Sequence, residues 1–121
     1  NLASIALPKF VYKAKSGMKF NFKVFRTVVR KMIENLDNVI DANYYPTEET
    51  ETSNFKHRPI GLGVQGLADV FAMIGVDFDS EEARQLNKDI FEHMYFYSLE
   101  MSNELAVKKS PYSSFKGSPA I

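Results

Sequence analysis

The sequence predicts a mostly helical α/β unit. Two long stretches, 22–43 and 80–108, repeat apolar residues every three or four positions, which is the period of a helix with one buried face. Two short apolar runs, 2–7 and 59–64, are too brief for helices and read as strands. Of the 121 residues, 45% are hydrophobic and 13% aromatic, enough to fill one core. No internal repeat, low-complexity segment or linker divides the chain, so residues 1–121 are read as a single segment.

Residues 2–7 (LASIAL) form a short apolar run with small side chains, closed by Pro8. Lys13 to Lys19 reads as a polar loop around Ser16-Gly17. Asn21 is placed to cap a long helix. Phe22, Phe25, Val28, Val29, Met32, Ile33, Leu36 and Ile40 make one continuous stripe along it. Its polar face carries Lys23, Arg26 and Arg30 first, then Glu34, Asp37 and Asp41. That order opposes the helix dipole, so packing must hold the helix: each misplaced charge costs a few tenths of a kcal/mol, whereas one buried Phe contributes about 1.5–3 kcal/mol.

Tyr44-Tyr45-Pro46 ends this helix, and 47–54 reads as an exposed acidic, hydroxyl-rich loop. His57-Arg58-Pro59 leads into the glycine-broken strand 59–64. A short helix is expected over 65–75, with Gly75 placed to end it. Asp79 or Ser80 then caps the last helix. Ala83, Leu86, Ile90, Met94, Tyr97, Met101 and Leu105 run along that helix, and Phe91, Tyr95, Ser98 and Ala106 are expected to widen the buried stripe. At about 1.5 Å per residue it is about 40 Å long, too long for so small a chain to cover. Residues 110–119 are turn-rich.

Several function classes lose support at this level. Fifteen basic and fifteen acidic residues cancel to a formal net charge of 0, which gives no electrostatic reason to expect nucleic acid or an anionic membrane. No apolar run approaches the roughly 20 residues that span a bilayer, and no signal or transit peptide opens the chain. Cysteine is absent, which excludes disulfides and thiolate metal sites and makes a reducing, cytoplasmic compartment the easier reading. The start at Asn1 without methionine and the stop at Ile121, shortly after Gly117-Ser118-Pro119, read as cuts in a longer protein.

Gly61-Leu62-Gly63-Val64-Gln65-Gly66 matches G-x-G-x-x-G between a strand and a helix. In a dinucleotide site these glycines would let the backbone approach a pyrophosphate at a helix N-terminus. Such a site also needs an acid about 20 residues on, at the end of a second strand. Glu81 and Glu82 lie at that distance but open a helix, so the glycines are expected to let strand and helix cross closely.

Other candidates carry bland readings. His57 and His93 have no metal spacing to carboxylates. His57-Arg58 is expected in solvent or in a structural salt bridge rather than on an anion. Tyr44 and Tyr45 are expected to pack rather than relay a radical. Glu48, Glu49 and Glu51 are expected as a solvated face, and Ser110, Ser113 and Ser114 have no recognisable histidine–acid partners. Three hypotheses stay open on the residues alone: a segment of a larger enzyme, a dinucleotide-binding module on Gly61, Gly63 and Gly66, and a non-enzymatic helical interaction domain.

A resemblance narrows them. His57-Arg58-Pro59-Ile60-Gly61-Leu62-Gly63-Val64-Gln65-Gly66-Leu67-Ala68-Asp69 resembles a signature of the large, catalytic subunit of eukaryotic-type class I ribonucleoside-diphosphate reductase. Asn1-Leu2-Ala3-Ser4, Asn43-Tyr44-Tyr45-Pro46, Phe78-Asp79-Ser80, Glu82-Ala83, Leu86-Asn87, Ile90-Phe91-Glu92 and Gly117-Ser118-Pro119 fall in the matching order. The likeness covers essentially the whole chain. The stretches 47–55 and 107–116 depart from it freely, and Ala120 stands where a bulkier aliphatic is expected.

The resemblance implies that this piece supplies strands and outer helices of a ten-stranded α/β barrel. It implies reduction of ribonucleoside diphosphates to 2′-deoxyribonucleoside diphosphates by a cysteine thiyl radical, with a cysteine pair re-reduced by a thioredoxin- or glutaredoxin-type donor. It also implies a small-subunit partner holding the metal-radical cofactor, ATP and deoxynucleotide effectors, and a large-subunit homodimer or higher oligomer. In that family the radical cysteine lies upstream of Asn1 and one redox cysteine falls immediately before it. The phosphate-binding loop and relay tyrosines lie downstream of Ile121. No catalytic residue, metal or cofactor is therefore expected in this segment. Asn1 and Leu2 are expected near the substrate pocket, and Gly61, Gly63 and Gly66 carry over as backbone-packing positions.

Overall fold

The computed structural model describes residues 1–119; the departure at Ala120 lies outside them. The chain opens with strand β1 (Leu2–Ala6), whose alternation ends where Pro8 enters a 3-10 turn over Leu7–Phe10. That turn buries Leu7 and Phe10.

The segment expected as a polar loop is instead a hairpin, β2 (Val11–Ala14) with β3 (Gly17–Phe20), in antiparallel register from Val11↔Phe20 to Ala14↔Gly17. Gly17 adopts φ +112° with nothing within 4 Å of a notional Cβ, so its requirement is conformational and not steric. The polar residues of 13–19 hid the hairpin because its inward positions are few. What pins it is Phe20, buried with Phe10 and Phe25 in a three-ring cluster with centroids 5.1–5.7 Å apart, tilted and edge-on.

Helix α1 (Phe22–Ala42) starts where the Asn21 side chain accepts the Val24 N–H at 3.1 Å. Phe25, Val29, Ile33, Leu36 and Ile40 of the expected stripe are buried. The segment 47–54, expected as a loop, instead caps and opens helix α2 (Glu48–His57). Thr47 and Thr50 form a reciprocal capping box, Glu48, Glu49 and Glu51 occupy the first turn, and Lys56 and His57 the last. These charges agree with the dipole. The helix escaped a reading by apolar period because it buries no residue at all.

Strand β4 (Gly61–Gln65) begins two residues later than expected: Arg58 takes a left-handed φ of 44° to end α2, and Pro59 has no N–H for a ladder. Helix α3 (Leu67–Ile74) is bracketed by Gly66 and Gly75, both left-handed, at φ 78° and 84°. Helix α4 (Glu81–Lys109) is capped by Ser80, whose Oγ accepts the Ala83 N–H at 3.1 Å.

β1 and β4 pair in parallel, Leu2↔Gly61 through Ala6↔Gln65. Ile5, with Leu62 and Val64 of β4, packs against the core. The opposite face, with Leu2, Ser4, Gly63 and Gln65, is exposed. The core joins Ile5, Leu7, Phe10, Phe20, Phe25, Val29, Val70, Ile90 and Met94. α1 and α4 run parallel: Phe22 stacks on His93, the Arg26 guanidinium lies 4.7 Å over the Tyr97 ring, and Lys109 reaches Asp37.

The charge order on α1 that opposed its own dipole is explained by α4. Arg30 pairs with Glu100 and Glu104, while Asp37 and Asp41 pair with Lys109 and Arg58. Partner charges on the neighbouring elements outweigh the dipole's few tenths of a kcal/mol. One expectation fails on α4: Phe91 and Tyr95 do not widen a buried stripe but stand 41% and 70% exposed, beside an open apolar groove of about 460 Å³ that also takes in Ile60, Leu62 and Leu99.

Candidate functional site

The glycine motif folds differently from a phosphate loop. Only Gly66 separates β4 from α3. A Cβ there would fall 2.7 Å from both Cγ and Cδ of Pro8, so the proline ring occupies the space over the helix start. A Cβ on Gly61 would fall 2.7 Å from Leu2 Cδ2. Gly66 is therefore required by both conformation and packing, whereas at Gly61 the neighbour is the movable end of an exposed side chain. Gly63 has no such reason: its notional Cβ makes an ordinary contact at 3.8 Å with the Ala3 carbonyl, on the exposed face of the pair. Glu81 and Glu82 lie in the first turn of α4, and Arg84 Nε donates to Glu81 at 2.8 Å. Neither acid stands at the end of a strand, as a ribose contact would require.

The start of β1 is tied down from three sides. The Gly61 N–H donates to the Asn1 carbonyl at 2.9 Å. The Asn1 carboxamide donates to Asn54 Oδ1 at 2.9 Å and to the Pro59 carbonyl at 3.3 Å. Asn54 in turn donates to the Thr50 carbonyl at 2.9 Å. Leu2 follows, 86% exposed.

Behind this contact lies an ion-pair cluster. Arg58 Nε donates to Asp37 Oδ1 at 2.7 Å and Nη1 to Asp41 Oδ1 at 2.8 Å. Its Nη2 donates to the Asp37 carbonyl at 2.8 Å and to Asp41 Oδ2 at 3.0 Å. Lys109 Nζ closes the cluster on Asp37 Oδ2 at 2.7 Å and Asp41 Oδ2 at 3.3 Å. Burial pushes the Asp37 carboxyl up, but hydrogen bonds from Arg58 and Lys109 more than offset it, so the group sits below its ordinary value. The Arg58 bond, chiefly, holds Asp41 low as well. The His57-Arg58 pair thus divides: Arg58 makes a structural salt bridge from the end of α2 to α1, and Lys109 joins the end of α4 to the same aspartates.

His57 Nδ1 meets Ser114 Oγ at 2.7 Å, and that hydroxyl donates to the Lys56 carbonyl at 3.2 Å. Together with the Ser114 N–H on the Lys56 carbonyl at 3.3 Å, the pair docks the C-terminal turns on the end of α2. Sequence gave no sign of this contact, 57 positions apart. His93 bonds the Asp89 carbonyl one turn back. Tyr45 donates to the Ile40 carbonyl at 2.7 Å and sits edge-on to Phe55, while Tyr44 is exposed. Among the described residues no group of three or more His, Asp or Glu could hold a metal ion, and no helix is long and apolar enough to cross a membrane.

A parallel strand pair with open edges, half-covered by two parallel helices, is the geometry of a repeating β/α unit. The family described as "Ribonucleotide reductase, barrel domain" matches residues 1–121. The chain belongs to the ribonucleotide reductase barrel-domain family. It is 56% identical over 119 residues to the ribonucleoside-diphosphate reductase large chain of Encephalitozoon cuniculi, covering 98% of this chain and 15% of that one. It is 53% identical over 122 residues to large chain 2 of Saccharomyces cerevisiae, covering 99% and 14%. Against the Arabidopsis thaliana large subunit it is 47% identical over 135 residues, covering 98% and 16%. The chain thus spans about 15% of the length of the curated relatives it matches. As a portion of a reductase barrel, its two-stranded sheet and its uncovered Phe91–Tyr95 face need no special account.

Proposed function

We propose that this chain is a structural portion of the barrel of a class I ribonucleotide reductase large subunit, a ten-stranded α/β barrel that reduces ribonucleoside diphosphates to their 2′-deoxy forms for DNA synthesis. What carries the reading is the match over residues 1–121, at about half identity, to large chains of that name. In this reading the chemistry belongs to cysteines outside this segment, since the segment contains none. The chain's own residues supply a wall: β1 and β4 present an open face with Leu2, Ser4, Gly63 and Gln65, α1 and α4 back it, and Asn1 and Leu2 border the substrate pocket. Gly66 holds the wall close.

The reading brings with it a small subunit carrying the metal-radical cofactor, a thioredoxin- or glutaredoxin-type reductant, ATP and deoxynucleotide effectors bound elsewhere, a homodimer or higher oligomer, and a cytoplasmic setting. A dinucleotide module is disfavoured by the Pro8 ring at the start of α3. The test is replacement of the matched segment of the Saccharomyces cerevisiae large chain by residues 1–121, in cells with no other large chain. Growth without supplied deoxynucleosides is expected. A soluble, folded graft that never supports growth would overturn the proposal.

A further inference from the structure

We infer that Asn54 is a positioning residue that sets where β1 begins, and through Asn1 sets the placement of Leu2 on the open face. The inference rests on the reading above that Asn1 and Leu2 border the substrate pocket.

Helix α2 is an odd element to keep for stability. It buries no residue, Phe55 on it is still 42% exposed against Tyr45, and Asn54 is its one half-buried residue. Yet it is capped at both ends, and its C-terminal cap, Arg58, is fastened to Asp37 and Asp41 by four hydrogen bonds. Besides receiving Ser114 at its end and Tyr45 on Phe55, the helix turns one side chain inward, and that side chain meets Asn1.

The polarity of that contact is fixed. Asn54 Nδ2 donates to the Thr50 carbonyl one turn back, which turns Oδ1 toward Asn1 as an acceptor. Asn1 Nδ2 gives one hydrogen to that oxygen and the other to the Pro59 carbonyl. Both donor hydrogens of the Asn1 carboxamide are thereby used by residues on either side of Arg58. The Asn1 carbonyl then receives the Gly61 N–H, the first rung of the β1–β4 ladder. At that same rung Leu2 lies across Gly61, its Cδ2 2.7 Å from where a Cβ on Gly61 would stand. Loss of the Asn54 acceptor frees Asn1 to rotate and lets Leu2 shift on the exposed face. A shift of about 1 Å in a group bordering a reacting substrate is enough to lower turnover many-fold.

The test uses the grafted large chain with its small subunit, a thioredoxin-type reductant and CDP. Asn54→Ala and Asn54→Leu should lower kcat/KM about tenfold at an unchanged unfolding midpoint. Asn54→Asp loses the donor to Thr50 but keeps an acceptor for Asn1, and should stay within about twofold of the parent. A merely structural helix contact predicts the reverse for that variant, a fall as deep as the alanine's. Amide exchange at Gly61 reads the placement of Asn1 independently of turnover and should quicken in Asn54→Ala but not in Asn54→Asp. Parent-like turnover in Asn54→Ala, or an aspartate variant as impaired as the alanine, overturns this inference alone. An inactive parent graft overturns the reading beneath it, and this inference with it.

Discussion

Replacing Arg58 with alanine should loosen the β1–β4 pairing while leaving the α1–α4 core intact. Arg58 makes two hydrogen bonds to Asp37, whose side chain is 13% exposed, and two to Asp41, whose side chain is 45% exposed. Charge-assisted bonds at the shielded aspartate contribute about 1 kcal/mol each, and those at the half-exposed one about 0.5 kcal/mol each after solvent screening. The sum is about 3 kcal/mol, which is about a hundredfold in a local opening equilibrium. Lys109 remains on Asp37, so its carboxylate is not left unpaired and the full penalty of a buried orphan charge is not reached. Arg58→Gly should recover about 1 kcal/mol of this, because the residue sits at φ 44°.

The assay is amide hydrogen exchange, followed by mass spectrometry, on peptides covering 1–7, 59–65, 25–36 and 90–101 in the grafted large chain. Arg58→Ala should speed exchange about a hundredfold in the first two and less than about threefold in the last two. Equal acceleration in all four peptides would mean that Arg58 stabilises the whole unit and does not tie one edge, and the reasoning would fail. So would a glycine variant that opens more readily than the alanine.

Three further outcomes follow from the same geometry. Gly66→Ala, which forces a side chain into φ 78° against Pro8, should destabilise by about 2–4 kcal/mol in chemical unfolding, whereas Gly63→Ala, with its Cβ in ordinary contact, should change stability by less than about 1 kcal/mol. The depressed Asp37 and Asp41 carboxyls add stability that is present above the unfolded aspartate value of about 3.9 and lost as pH falls through their lower folded values. The raised Lys109 adds stability that is present below about 10.4 and lost above it, so a plot of unfolding midpoint against pH should fall at both ends, with a shallower acid limb in Arg58→Ala. Tyr95→Glu with Leu99→Lys should reduce self-association of the isolated 121-residue chain in sedimentation velocity, yet impair folding of the full graft if barrel neighbours cover that face; an unaffected graft would show the face is free there too.

The long elements were legible in the sequence because period and burial coincide in them. Asn21, Ser80 and Gly75 marked ends that local hydrogen bonding enforces. Helix α2 and the β2–β3 hairpin were not legible. One buries nothing, and the other buries only Phe20, at its very end, so neither writes a hydrophobic period into its own residues. The reversed charges of α1 looked unfavourable until Glu100, Glu104, Lys109 and Arg58 were seen opposite them, 17 to 74 positions away. At the site, the dinucleotide motif could be doubted from the helix that follows it, but the Pro8 ring over Gly66 and the Asn1–Asn54 contact are tertiary facts with no local signal.

The central claim, that residues 1–121 are the wall of a reductase barrel whose chemistry lies elsewhere in the chain, is tested most directly by measuring dCDP formed from CDP by the grafted large chain and by the isolated chain in parallel, each with small subunit and reductant. The account predicts turnover by the graft and none by the isolated chain. Turnover by the isolated chain, or a folded graft without any, would contradict it.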